Sequence, residues 1–351
     1  MRMPWTAAAV LLALAGRAAE GIPPVFLDGV WVQHLRARIA AAEGNDRRVE
    51  RHARDLLRVK PDDAGALLAL VETLHRQDKR GLASALVRFA HLAHPADARI
   101  TVLYDRLKDL RPAGGGAFAP DTQIQTLSAS VQETAIRGDA DGLRAAEDQL
   151  AGMLVRFRPS INHLDALKAA YRELDEPTLE AALLIEIILQ EPGRLDDLKR
   201  LSVLLKRMDA GRVLAPTLQE LNAKDRAPGF DAAAGAALST VGAHAEAARH
   251  FNRWVEAAPK NGEAWSALGI ALYESGDVVR ARAVLIKASL LAPDLKPVYT
   301  TLARIAAEQR DPDDALIWLR RLMPMINEQE LSELLMQPGF NNIPEVLYQL
   351  R

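Results

Sequence analysis

Three pairs of adjacent aspartates, Asp62-Asp63, Asp196-Asp197 and Asp313-Asp314, are the residues best suited by type to acid–base chemistry. Two carboxylates that share a site can split their pKa values, so that one holds a proton while the other accepts one. Their placement argues for a plainer role. Each pair opens a predicted helix, where carboxylates satisfy free backbone amides and the helix dipole. His91 and His94 stand three apart near a helix end and could share a metal ion. No third ligand lies near them in sequence, so they read as a solvated edge, and His34, His52 and His75 read as polar surface. Gly114-Gly115-Gly116 lacks the Lys-Ser/Thr that completes a phosphate loop, and no His-Glu-x-x-His occurs. No serine is flanked as in a nucleophile elbow. There are no cysteines, which excludes disulfides, thiolate metal sites, cysteine nucleophiles and a lipid-modified N-terminal cysteine. The expectation is a protein that is not an enzyme, with no catalytic, cofactor-binding or metal-binding residues.

The elements that would position any site are announced by punctuation. Eight turn signatures recur: Glu43-Gly44-Asn45-Asp46, Gln77-Asp78, Arg137-Gly138-Asp139, Leu174-Asp175, Met208-Asp209, Val241-Gly242, Ser275-Gly276-Asp277 and Arg310-Asp311. From Asp175 through Asp209, Gly242, Gly276 and Asp311 the steps are 34, 33, 34 and 35 residues. A second ladder, Pro61, Pro95, Pro159, Pro192, Pro228, Pro259 and Pro293, runs half a period out of step. Two interleaved ladders of this period predict stacked helical hairpins, one per repeat. Composition agrees: 49% of residues are hydrophobic but only 5% aromatic, which suits helices packed through Ala and Leu.

Residues 262–295 are the cleanest unit, with Trp265, Leu268, Gly269, Ala281, Leu285, Ala288 and Pro293 at places 4, 7, 8, 20, 24, 27 and 32 of a 34-residue frame. This resembles the tetratricopeptide repeat family, whose pattern puts W, L, G, A, F, A and P there. Gly269 and Ala281 are expected to face each other at the closest approach of the two helices. Further matches are Gly235, Leu238, Ala247, Phe251 and Pro259 in 228–261, and Tyr299, Leu302, Ala303, Ala315 and Leu319 in 296–329. Units 30–63, 64–97, 128–161 and 162–195 match more loosely, and 196–227 is degenerate. The resemblance implies an all-α, right-handed superhelical solenoid of stacked hairpins.

The period breaks once. Arg111 to Pro120 is rich in Gly and Pro, and the helix before it lacks a second helix of its own. This divides the chain into an N-terminal repeat lobe (25–111), a hinge (112–120), a C-terminal array (121–329) and capping helices (330–351). Asp121 is expected to cap the helix that follows the hinge. Residues 30–111 hold 16 Lys and Arg against 11 Asp and Glu, whereas 112–351 hold 26 against 33. That imbalance reads as two differently solvated lobes, and a net charge of −2 gives no field for nucleic acid. Residues 1–18, with Arg2, an apolar run from Trp5 to Ala15 and small residues after it, read as a cleavable export signal. An Ala-rich first helix or a misplaced start codon would also suit them. No segment is long and apolar enough to span a bilayer, and Leu183 to Leu189 reads as a buried helix.

In the family that the repeats resemble, the first helix of each hairpin lines a concave face. Carried onto this chain, its partner-binding places fall on Glu263, Ser266, Ile270, Tyr273, Thr300 and Arg304. Peptide-carboxylate clamps of the family use Lys, Asn and Arg there. Here only Arg304 is cationic, which argues against such a clamp. The resemblance therefore implies a non-catalytic scaffold that holds a protein or peptide partner. With the export signal it suggests a bacterial envelope adaptor that assists assembly or secretion of a larger complex, such as a polysaccharide export machine. A cytoplasmic adaptor, or an enzyme with a site in the groove, are the alternatives.

If the frame is right, Ala281→Leu overpacks a close helix approach and costs about 1–3 kcal/mol, whereas Arg280→Leu is nearly silent. Urea denaturation of both variants checks this, and equal effects would show the frame to be out of register.

Overall fold

The computed structural model describes residues 29–108, 118–154, 159–221, 228–343 and Val346. Among the described residues there are eighteen α-helices and no strand beyond a bridge position at Phe118. The first nine are α1 (Gly29–Ala42), α2 (Asp46–Val59), α3 (Ala64–Arg76), α4 (Arg80–Ala93), α5 (Ala98–Leu107), α6 (Asp121–Arg137), α7 (Ala140–Met153), α8 (Ile161–Glu173) and α9 (Pro177–Gln190). They are followed by α10 (Leu195–Arg207), α11 (Leu214–Gln219), α12 (Phe230–Thr240), α13 (His244–Ala257), α14 (Gly262–Glu274), α15 (Val278–Leu291), α16 (Lys296–Glu308), α17 (Pro312–Leu322) and α18 (Glu328–Leu335). The fold class is the expected one: all-α, built from helical hairpins.

Each of the eight turn signatures does the same backbone job. Gly44, Asp78, Gly138, Asp175, Asp209, Gly242, Gly276 and Arg310 all take positive φ, between 50° and 90°. The next N–H then reaches back to the carbonyl five residues earlier, as from Asn45 to Ala40, Glu176 to Tyr171 and Asp277 to Leu272, each at 2.9 Å. This closes the last turn of the first helix and points the chain back along it. Four of the eight residues are not glycine and carry the left-handed strain. The proline ladder acts at the other end. Lys60, His94, Glu191, Ala258 and Ala292, each just before a proline, are held at φ between −132° and −143°, outside the helical region.

Close approach within hairpins differs from the expectation in one respect. A Cβ on Gly269 would lie 2.5 Å from Leu285 and 3.3 Å from Val284, so its facing residue is place 24 rather than Ala281 at place 20. Gly235 and Phe251 repeat the relation, also at 2.5 Å. Ala281 is fully buried nonetheless. Place 4 also repeats: Trp265 donates its indole N–H to the carbonyl of Pro259, and Tyr299 its hydroxyl to that of Pro293, both at 2.9 Å.

The described residues form two compact units. One runs to Asp197 and includes Leu204–Thr217; the other comprises Leu198–Val203 and the chain from Leu218 onward. The expected lobe boundary at 112–120 therefore falls inside the first unit. Residues 112–117 of that hinge lie outside the described residues, as does the export signal; Ala119 is buried. Asp121 is the first helical residue of α6 rather than its cap, which is Pro120.

In the first unit α1 to α5 pack in succession, as do α6 to α9, and α9 lies against α4. Helix α9, Pro-Thr-Leu-Glu-Ala-Ala-Leu-Leu-Ile-Glu-Ile-Ile-Leu-Gln, buries eleven of its residues, confirming the buried reading of Leu183 to Leu189. At its start sits a balanced charge cluster. Arg54 of α2 is 5% exposed and donates to Glu147 of α7 (3.2 Å), Glu176 (2.9 Å) and Glu50 (2.5 Å). Glu176 also accepts from Arg58 (2.8 Å) and Arg144 (3.3 Å), and Glu147 from the hydroxyl of fully buried Tyr171 (2.8 Å). Three arginines thus meet three carboxylates, and Lys79 approaches Glu50 at 3.9 Å. Lys79–Asp148 (3.4 Å) and Arg88–Glu186 (2.8 Å) add two further ties. Four cations of 30–111, Arg54, Arg58, Lys79 and Arg88, are thus paired with carboxylates from the later sequence.

In the second unit α12 to α17 pack in succession, α14 also touches α16, and a 3-10 turn at Pro338–Asn342 packs on α16 with Phe340 buried. These last contacts lie within the segment expected to cap the array.

Removing Arg54 leaves Glu147 and Glu176 buried with less countercharge, so Arg54→Ala is expected to cost about 3–5 kcal/mol. Burial pushes the Glu50 carboxyl up, but Arg54 and Lys79 overcome it and hold its pKa below the ordinary 4.5. Its contribution is present above that value and lost as pH falls through the depressed folded one. Urea midpoints measured from neutral to acid pH should show a shallower acid loss from this site in Arg54→Ala; a variant as stable as the parent at neutral pH would refute the role of the cluster.

Candidate functional site

The aspartate pairs are structural. Asp63 caps α3 through the amide of Ala66 (3.0 Å), Asp62 pairs with Arg212 (3.0 Å), and Asp197 pairs with Lys168 (2.8 Å) and Arg194 (2.6 Å). Asp314 accepts from Trp318 and Arg282, each at 3.0 Å. Asp63 is the side-chain cap; Asp196 and Asp197 lie in the first turn of α10 and Asp313 and Asp314 in that of α17, where carboxylates face the helix dipole, and Asp62, Asp197 and Asp314 also form the side-chain pairs given above. His91 stacks on Tyr104 at 4.4 Å, and His94 donates to the carbonyl of Asp62 at 2.5 Å, so the two imidazoles serve different neighbours. His34 reaches Asp63 (3.1 Å) and His52 reaches Gln33 (3.0 Å). No cluster of three or more metal-ligating side chains exists among the described residues.

The candidate partner face lies on the first helices of the second unit. Helix α14 starts because Asn261 accepts from the amides of Glu263 (2.9 Å) and Ala264 (3.2 Å), and it ends at the left-handed Gly276. Helix α16 starts with Lys296-Pro297 and ends before Arg310. Of the six residues assigned to the face, Glu263 is exposed and Ile270, Thr300 and Arg304 are half-buried. Ser266 and Tyr273 are buried. On a helix advancing 100° per residue, Glu263, Ala267, Ile270 and Glu274 share one line, while Ser266 and Tyr273 turn toward the neighbouring helix. The six are therefore not one surface.

Tyr273 is 8% exposed. Its hydroxyl donates to Glu308 of α16 at 2.5 Å, and Arg304 covers its ring at 4.9 Å while reaching Glu274 at 3.4 Å. Burial and the Glu308 bond push the phenol pKa up, so it stays protonated as a donor. The pair expected to project as free anchors is instead a bracket between consecutive repeats. Glu274 and Glu308, both exposed, complete the surface row and were missed. The signal was present: Glu274 follows Glu263 by eleven residues and Glu308 follows Arg304 by four, each a return to the same helix face. The row offers Glu263, Glu274 and Glu308 against one cation, Arg304, that is already paired.

Residues 240–302 match the tetratricopeptide repeat family, so the chain carries tetratricopeptide repeats, and α13, α14 and α15 lie wholly inside the match. Among solved structures, it is similar to a tetratricopeptide repeat protein from Parabacteroides merdae ATCC 43184 at 13% identity, covering 87% of this chain and 97% of that one with a TM-score of 0.34. The TPR2AB domain of yeast Sti1, solved in a complex with pHSP90, is similar at 11% identity over 89% of this chain and 97% of that one, with a TM-score of 0.30. Yeast Tom70 is similar at 12% identity over 90% of both chains, with a TM-score of 0.29. A search of curated protein sequences found no match.

Because Tyr273 is packed and bonded, Tyr273→Ala is expected to destabilise the protein by about 3–5 kcal/mol, in the range of buried aromatic truncations. Glu263→Ala, on the exposed row, should change stability by no more than about 0.5 kcal/mol. Thermal and urea unfolding of the two variants separates them.

Proposed function

We propose that this protein is a non-catalytic scaffold whose second-unit repeats hold a segment of a protein partner across the first helices of the hairpins. The observation that carries this reading is the surface row formed by exposed Glu263, Glu274 and Glu308 with half-buried Ile270 and Arg304, in and beside the repeats that match the family. Within it Glu263 has no part in the bracket that Arg304, Glu274 and Glu308 form around buried Tyr273, so its chemistry can vary without disturbing that tie. The row's carboxylates suit a partner segment bearing Lys or Arg, with Ile270 supplying a central apolar contact. They do not suit an acidic C-terminal peptide, for which a clamp needs cations.

We further propose that the chain works in a bacterial envelope, assisting the assembly or secretion of a larger complex such as a polysaccharide export machine. Support comes from residues 1–18, where Arg2, the apolar run and the small residues after it follow the pattern of an export signal. A cytoplasmic adaptor would keep the same repeats and differ in its N-terminus. Mass spectrometry of the protein from its native cell should find a mature start near Gly16 or Ala19; an intact Met1 would move the protein to the cytoplasm.

The binding reading is tested by a photo-crosslinking amino acid placed at Ile270, at the centre of the row. It should trap a discrete partner in cells, with yield falling when Glu263→Lys and Glu274→Lys are added and when ionic strength rises. Trapping that ignores charge reversal, or none at all, would place the partner elsewhere.

A further inference from the structure

In the first unit one cleft carries charge that the fold leaves uncompensated. It holds about 900 Å³, opens between α2, the turn into α4 and α7, and every residue that lines it is polar or charged. Each carboxylate of the lining already holds a cation: Asp46 holds Arg76, Glu50 and Glu147 hold Arg54, Asp55 holds Arg58, and Asp148 holds Lys79. The cations are not all matched. Arg47 and Arg51, exposed on the α2 side, make no side-chain ion pair or hydrogen bond among the described residues. The excess continues onto the adjoining surface. Burial lowers the His52 pKa below the ordinary 6.5, and Arg36, Arg48 and Arg51 push it the same way, against Asp55. Folding does not favour this arrangement. Arg47 stands in the first turn of α2, where the helix dipole disfavours cations, and Arg51 follows it by four residues, where like charges repel.

Spacing and surroundings decide which anion fits. Residues four apart on a helix are neighbours, about 5–6 Å apart at Cβ. Alternate residues of an extended segment point the same way at about 6.6 Å, close to that separation. We propose that this cleft is a second docking site, and that its occupant is an extended segment of a partner protein with Asp or Glu at alternate places, paired to Arg47 and Arg51. The polar lining suits such a segment, whose backbone N–H and C=O groups need partners once covered. An anionic bilayer fits badly. A flat surface does not enter a cleft, and Asp148 of α7, 68% exposed, would face the lipid headgroups. A nucleic acid duplex also fits badly, because two unpaired cations neutralise too few phosphates to hold it.

The cleft lies on the first unit and takes an acidic partner, whereas the row on the second unit takes a basic one, so the two stand or fall separately. The test uses the full chain at low ionic strength and two labelled peptides of about 12 residues, one alternating Glu and Ser, the other Lys and Ser. Fluorescence anisotropy should show binding of the glutamate peptide alone, weakened about fivefold or more by Arg47→Gln with Arg51→Gln, and weakened by added salt. Removing equal charge from the second unit, with Arg249→Gln and Arg320→Gln at two exposed places, should leave the affinity unchanged. The cleft variant should keep or raise its urea midpoint, because it loses a repulsion and no contact. Four results overturn the proposal: equal binding of both peptides, an affinity that the cleft variant does not change, equal weakening in the second-unit variant, or no binding at all. Capture by phosphatidylglycerol vesicles or duplex DNA, lost in the cleft variant while the glutamate peptide fails to bind, would assign the arginines to another polyanion and also overturn it. So would a dimer seen in sedimentation that the same variant dissolves.

Discussion

A guanidinium group buried among carboxylates joins parts of this chain that lie 93 and 122 residues apart, from Arg54 to Glu147 and Glu176. The first unit depends on that meeting. A lone buried cation would be costly, and so would a lone carboxylate, but each is tolerable when the other is in place. The cluster therefore couples two runs of hairpins that sequence punctuation separates. Around it the apolar side chains of α9 find a second surface in α4, and the hydroxyl of Thr178 donates to the carbonyl of Pro61 at 2.9 Å. A helix that is apolar on nearly every side requires such a double contact.

The second unit follows a simpler rule, in which each element touches its neighbours along the chain and little else. Its order comes from repeated local geometry. A left-handed residue closes the first helix, a residue locked by the following proline ends the second, and a glycine admits the large side chain at place 24. Trp265 and Tyr299 then hang from the proline carbonyls before their own helices. These few positions secure the hairpins. Outward places on the first helices carry Glu263, Glu274 and Glu308, and those on α15 carry Val279 and Leu290.

Much of the fold is legible in residue type and spacing. All eight turns, the ends of the second helices and the buried character of α9 could be read from residue type and spacing. Each of these is dictated within a few residues, by φ preference, by the missing N–H of proline or by an apolar run. The expected facing of Gly269 and Ala281 failed by one helical turn, since which side chains meet across a hairpin depends on helix rotation. The candidate site was legible only in outline. Glu263, Ile270, Thr300 and Arg304 reach the surface, whereas Ser266 and Tyr273 turn inward, and a family pattern does not carry that rotation.

By itself, the sequence determined that this protein is a series of helical hairpins, where each hairpin turns, and that no familiar catalytic motif is present. The reason is that turns, caps and close approaches are local events, written in the residues that undergo them. Only the tertiary structure decided which hairpins share a unit, and it did so through contacts between distant residues. The gap at 112–120 looks like a boundary because its composition is that of a linker. The first unit nevertheless spans it, because Arg54 finds its carboxylates, and α9 its second apolar wall, on opposite sides of the gap. In the same way Tyr273 and Arg304 are surface types by residue identity, and it is the packing of α14 on α16 that turns them into a bond between repeats.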